Sequence, residues 1–253
     1  MASTLIVDQI QKTGGSTTAL TLPTSNASAS QYLQNDGAGA LSWASVASAG
    51  FHNVKFITTS TNPVALTAGT TLIVVEVLGA GGCAGGANNV GAYGGCGGSG
   101  GYSMQQLTVV DSDEFNVTIG AKGTETGTRN GGDTTFAQVT GSSLGSTITA
   151  GGGVAGTNPP GGSGSHEAGG TGGVVTNANS GNKININGSD GAVGARDKNG
   201  PSTRWGTGGV LQATGTTAGG NAVGYGGGGG DSSGVNMNGG DGGDGLVVIW
   251  EYK

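Results

Sequence analysis

Leu72-Ile73-Val74-Val75-Glu76-Val77-Leu78-Gly79-Ala80-Gly81-Gly82 decides how the chain is read. Seven residues of nearly continuous β-branched and aliphatic character suit a strand buried on both faces. The run then passes without a turn signal into side-chain-free glycine. The same junction appears reversed at the other end. Gly242-Gly243-Asp244-Gly245 leads directly into Leu246-Val247-Val248-Ile249-Trp250-Glu251-Tyr252, the second strong strand. Strand and glycine tract are therefore parts of one design, and the rest of the chain is read outward from these junctions.

Between them, Phe115, Val117 and Ile119 alternate with polar residues, Val54 and Phe56 do the same near the beginning, and Ile148 marks a further strand. No segment carries a 3.6-residue apolar period, and Gly and Thr, both poor helix formers, are everywhere. The fold class expected is all-β. Of the 59 glycines, five lie in residues 1–50, which places a boundary near Gly50. Residues 1–50 read as a segment apart, with short strands of its own. Here Leu5, Ile6, Val7 and Ile10 form a short apolar run and Leu20 and Leu22 alternate with threonines. Gln31 to Gln34 and Leu41 to Trp43 flank Asn35-Asp36-Gly37-Ala38-Gly39 as a hairpin. Such a hairpin needs a partner surface. Residues 51–253 read as one glycine-rich β domain, with a strand framework over 51–150, a glycine-rich distal part over 151–245 and a closing strand over 246–252.

The tracts at 79–82, 94–101, 151–153, 169–173 and 226–230 admit two readings. Gly/Ser stretches behave as flexible linkers. Alternatively, polyglycine II helices, with three residues per turn, pack closely where no side chain intervenes. Their N–H and C=O groups would then be satisfied by neighbouring helices. Strict Gly-X-Y periodicity is absent, which excludes collagen.

Charged residues are 9% of the chain and the formal net charge is -6. With no basic cluster, binding to a phosphate backbone is not expected. The apolar content of 34% argues against simple disorder. The first residues lack the basic and apolar regions of a signal peptide, and no run approaches the length of a membrane helix. Neither export by a signal nor membrane insertion is expected. Cys83 and Cys96 sit in one glycine-rich stretch at a spacing that could close a short loop, or remain free thiols.

Chemistry-bearing patterns are thin. Gly95 to Gly100 fits a dinucleotide-type glycine pattern without the following helix that gives it meaning. Gly239 to Val247 fits one calcium nonapeptide without the adjacent copies that complete a site, leaving Asp231, Asp241 and Asp244 as cation ligands of last resort. His52 and His166 lie in no nucleophile or metal arrangement, and Asp111, Asp113 and Glu114 read as a solvated turn. No enzyme activity, cofactor or metal is expected.

The two junctions, together with Phe115-Asn116-Val117-Thr118-Ile119-Gly120-Ala121-Lys122-Gly123 and Gly131-Gly132-Asp133-Thr134-Thr135-Phe136, resemble glycine-rich domains of bacteriophage tail-fibre and related virion proteins. Ser3 to Ile10 and Leu33 to Trp43 resemble segments of trimeric phage fibres. The resemblance implies a virion-located homotrimer, anchored to other virion proteins through Leu5, Ile6, Val7 and Ile10. Its distal part would face a bacterial receptor, a polysaccharide or outer-membrane protein. A capsid head fibre or decoration protein without a receptor role and a polysaccharide-degrading tail spike are the alternatives. Recognition needs aromatic and Arg side chains on rigidly held loops, and His166, Arg196, Arg204, Trp205 and Tyr225 are the candidates. Packing of Trp205 and Tyr225 inward is the competing reading for those two, and 196–205 is the expected exposed loop.

Overall fold

The computed structural model describes residues 9–10, 20–29, 31–35, 40–45, 50–87, 92–141, 143–159, 165–195, 198–210, 218–233 and 236–253. It is all-β among these residues, in two compact units, Met1–Ala49 and Gly50–Lys253.

The first unit pairs β1 (Gln9–Ile10) with β2 (Leu20–Thr21), and β3 (Gln31–Asn35) with β4 (Leu41–Ser45). The hairpin expected around residues 35–39 is therefore formed in its two strands, Leu33 opposite Trp43. Trp43 Nε1 donates to the carbonyl of Ser25 at 2.6 Å. Tyr32 and Leu33 remain exposed. Leu5, Ile6 and Val7 lie outside the described residues, as does the side chain of Ile10.

The second unit holds twelve further strands: β5 (Phe51–Ile57), β6 (Thr61–Ala65), β7 (Leu72–Leu78), β8 (Tyr102–Thr108), β9 (Glu114–Thr118), β10 (Thr134–Thr140), β11 (Ile148–Ala150), β12 (Val175–Thr176), β13 (Lys183–Ile186), β14 (Gly206–Thr207), β15 (Val223–Gly224) and β16 (Leu246–Tyr252). Two five-stranded antiparallel sheets form, in the orders β13-β8-β7-β16-β5 and β12-β11-β10-β9-β6. The two apolar junction strands are neighbours at the centre of the first sheet, Leu246 opposite Leu78 and Tyr252 opposite Leu72. Strand periodicity puts Ile73, Val75, Val77, Val247 and Ile249 on one face. That face packs on Phe115, Val117, Phe136 and Ile148 of the second sheet as a single buried core, the arrangement of a β-sandwich. Phe115 and Phe136 stack at its centre with ring centroids 4.5 Å apart.

Beyond the sandwich the glycine segments form a second body. Along 79–85 the successive amides donate in three directions, at 2.8–3.2 Å. Gly79, Gly82 and Gly85 reach the carbonyls of Gly101, Gly98 and Gly95; Ala80 and Cys83 reach Gly132 and Arg129; Gly81 and Ala84 reach Gly243 and Gly240. The neighbouring segment repeats the pattern. Gly95, Gly98 and Gly101 donate to Thr157, Val154 and Gly151, Cys96 and Ser99 to Ala192 and Ser189, and Gly97 and Gly100 to Gly229 and Gly226. A bonding period of three residues is the period of the polyglycine II helix. Each interior segment is thereby surrounded mainly by backbone. Residues 79–86 and 94–101 are buried throughout, without a side-chain core. A Cβ on Gly97 would overlap the carbonyl oxygens of Gly82 and Cys83, and one on Gly152 would overlap that of Gly131.

At the perimeter, where no further segment follows, Asx side chains take the outward amides. Asp133 accepts from Gly152 (2.9 Å), Asn130 from Ala155 (2.9 Å), Asp190 from Gly172 (2.8 Å) and Asn221 from Asp241 (2.8 Å). The body draws on 79–87, 94–101 and 120–132 as well as on described residues beyond Ala150.

Candidate functional site

Direction in the glycine body follows from its junctions. Gly79, Gly101, Gly120, Gly151 and Gly245 each abut a strand of the sandwich or lie within two residues of one, and their segments run away from it. At about 3.1 Å per residue, 79–87 carries the chain roughly 25 Å outward. The described far ends of these segments, such as Ala87, Ala195 and Ser233, therefore form a free end. Meanwhile Gly50 and Lys253 bond reciprocally, N–H to carbonyl, at 3.2 and 3.1 Å. They sit beside the Phe51–Tyr252 pair, at the opposite end of β5 and β16 from the Ile57–Val247 pair. The second unit thus has one pole where its chain begins and another where the glycine segments reach furthest from the sandwich.

The candidate residues divide between these two ends. His166 is exposed at the free end, its ring stacked on Tyr93 with centroids 5.3 Å apart and its Nδ1 2.6 Å from the carbonyl of Gly194. Arg196 lies outside the described residues. Lys198, which borders the same turn, is exposed, and its carbonyl accepts a weak bond from Cys96 Sγ at 3.7 Å.

Arg204, Trp205 and Tyr225 are at the other end of the body, against the outer face of the first sheet. The chain runs back from the free end through Pro201 and turns at 203–206 there. Of the expected loop over 196–205, residues 196–197 lie outside the described residues, Lys198 is exposed and 203–206 turn against the sheet. Proximity in sequence misleads here because an extended segment covers distance quickly.

Glu76 is the reason that turn is fixed. It is the single charge in β7, 3% exposed, and faces outward. It accepts from Tyr102 Oη at 2.8 Å, Trp250 Nε1 at 3.0 Å and Trp205 Nε1 at 3.1 Å, with Arg204 Nε at 3.5 Å. Trp205 also meets Phe56 edge-on with centroids 6.0 Å apart, and the guanidinium of Arg204 lies 5.5 Å from the Trp205 ring centre. Tyr225, like Trp205 and Trp250, packs against the buried cluster of Leu78, Leu246 and Val248. Burial and the bond to Glu76 push the Tyr102 phenol upward and keep it a donor. Arg204 is nevertheless exposed and borders a groove of about 360 Å³ floored by Tyr102, Met104, Ile184 and Ile186. A buried carboxylate needs its donors, so a lone Glu in an apolar strand was the sequence signal for this cluster. It passed unread as part of the hydrophobic run.

The carboxylates singled out as cation ligands do not converge. Asp241 pairs with Lys122 Nζ at 3.1 Å, Asp244 accepts from the Lys122 amide at 2.9 Å, and Asp231 is buried with Ala195 N at 3.2 Å. No group of three His, Cys, Asp or Glu side chains that could hold a metal occurs among the described residues. Cys83 and Cys96 are free, buried thiols. Cys83 Sγ faces Glu125 at 3.8 Å whereas Cys96 Sγ faces Lys198. Burial pushes the thiol of Cys96 up to about 11.

Comparison with curated proteins gives no match. Residues 57–252 match the family described as a glycine-rich domain. That span takes in every strand of the sandwich except β5, of which it includes only the last residue, together with the whole glycine body. The chain belongs to the glycine-rich domain family.

Proposed function

We propose that this chain is a non-enzymatic structural protein of a bacteriophage particle, a fibre-type adhesin. It assembles as a homotrimer, is held to other virion proteins through residues 1–50, and attaches to a bacterial surface receptor through the turns of the glycine body. The observation that carries this reading is the polarity of the second unit. Its chain begins at Gly50, and the glycine segments run out from the opposite ends of the strands. A body whose interior is held mainly by backbone hydrogen bonds is a rigid scaffold, which suits recognition by loops carried at its far end.

Within this reading His166 and the turn bordered by Lys198 are the receptor-facing groups, with Arg196 in that same turn. Arg204, Trp205 and Tyr225 hold the base of the body to the sheet. Exposed Tyr32 and Leu33, on a hairpin too small to be stable alone, provide apolar surface for trimerisation.

The test is adsorption in the presence of excess purified protein. Competition should be dose-dependent and lost in the His166→Ala, Lys198→Ala double variant, while Arg204→Ala competes normally. Unimpaired adsorption at saturating wild-type protein overturns the adhesin reading. Digestion of host polysaccharide by the purified chain would identify a tail spike instead.

A further inference from the structure

The apolar runs of β7 and β16 suit burial on both faces. One face of their sheet packs on the second sheet, and the other meets no sheet among the described residues. Strand pairing assigns the outward positions. Ile184, Met104, Glu76, Val248 and Phe56 form one rung across all five strands, and Val74, Trp250 and Val54 stand on the next. Leu72, Tyr252 and Phe51 follow. The solvated face of an antiparallel sheet is ordinarily polar, whereas this one is aliphatic and aromatic. Its strand carboxylate, Glu76, is buried and already met by Arg204.

Trp205 and Tyr225 cover the end of this face around Leu78, Leu246 and Val248. The rest is open and uneven. On the β5 edge the rings of Phe51 and Phe56 protrude, 60% and 56% exposed. On the β13 side lie two hollows, the groove of about 360 Å³ bordered by Arg204 and a second of about 290 Å³ bounded by Val74, Gln106 and Asn182. Met104 and Ile184 line both. A cavity of about 150 Å³ accepts benzene, so either hollow has room for a phenyl ring.

Knob and hollow share a face but are too far apart to meet within one chain. Phe56 and Ile184 are the two ends of a rung, four strand spacings or about 19 Å apart. A second copy brings them together. We propose that the outer face of the first sheet is a contact between copies of this chain, with Phe56 of one copy seated against Met104 and Ile184 of the next. The contact uses different patches on its two sides, and such heterologous contacts close into rings. It rests on the homotrimer proposed above and gives that homotrimer its surface in the second unit. With Glu76 buried beside Arg204, the open part of the face brings no like charges together, and aromatic groups with few charges are what the centre of such a contact favours.

The experiment is sedimentation equilibrium of the full chain over a range of concentrations. The wild type should be a trimer. Phe56→Lys and Ile184→Glu, both at exposed positions, should each raise the concentration of half-assembly by roughly thirtyfold or more, the loss of one interface anchor. A one-to-one mixture of the two should associate more strongly than either alone, because one intact knob then meets one intact hollow. A Phe56→Cys, Ile184→Cys double variant under mild oxidation should give chains disulfide-linked beyond a dimer, which neither single variant should give. At about 19 Å the two positions are too distant to bridge within a chain, so this readout decides if the charged variants do not fold. A wild-type trimer that both charged variants leave unchanged, or an assembled double-Cys variant that does not link, overturns the contact and leaves the homotrimer standing. A wild-type dimer lost in both variants keeps the contact and overturns the homotrimer. A wild-type monomer overturns both.

Discussion

The sandwich and the glycine body share a unit and are held by opposite means. In the sandwich, Phe115, Phe136, Ile73 and Val247 exclude water with side chains, and the cost of a change is the cavity it leaves. In the glycine body the same exclusion is achieved by backbone against backbone, and the cost is the overlap that any added atom creates. Removing atoms injures one region and adding them injures the other. The bodies meet where Leu78 passes into Gly79 and Gly245 into Leu246, so one chain changes its packing rule within a single peptide bond.

The contrast is broken most severely by Gly97→Val. Its new side chain would meet the backbone of Gly82 and Cys83, neither of which can step aside without breaking the three-residue bonding pattern. Soluble folded protein should not be recovered, whereas Gly145→Ala, whose nearest neighbour is Asn179 Oδ1 at 3.4 Å, should lie within ~0.5 kcal/mol of wild type in denaturant unfolding. Recovery of a Gly97→Val protein with wild-type stability would mean that the segments are loops.

Next in size is Phe136→Ala, expected to cost about 3–5 kcal/mol, measured in the same unfolding experiment. Glu76→Gln follows. Three neutral donors and the Arg204 guanidinium lose their common charged acceptor, for about 2–3 kcal/mol. Trp205 should become more exposed, read as a red shift in tryptophan emission with the sandwich intact. Smallest is Asp133→Ala, which leaves the Gly152 amide at the perimeter to water and should cost about 1 kcal/mol, like the loss of a helix cap. The rank order tests whether interior overlap, rather than perimeter capping, dominates the glycine body.

Much of the sandwich was legible. Alternation at Phe115 and Val117 and the continuous runs at 72–78 and 246–252 name its central strands because a half-buried or fully buried strand writes its burial into every position. β12, β14 and β15 were not legible, being two-residue pairings with no side-chain pattern. In the glycine body, period three is only faintly written, in the spacing of Ala80 and Cys83 or of Cys96 and Ser99. It becomes definite in where the amides point, which depends on segments far apart in sequence. Arg204 and Trp205 were grouped with Arg196 for the same reason, since sequence spacing carries no direction along an extended segment. The signal for their true neighbour, the isolated charge at Glu76, lay in another strand altogether.

The claim that the glycine tracts form a backbone-bonded solid is tested most directly by residue-resolved hydrogen exchange at a fixed pH. The amides of residues 79–85 and 95–101, each with a named carbonyl partner, should be protected to the same degree as those of β7 and β16, which open only with the whole unit. Exchange of these glycine amides at the rate of an unstructured chain, while β7 and β16 stay protected, would contradict it.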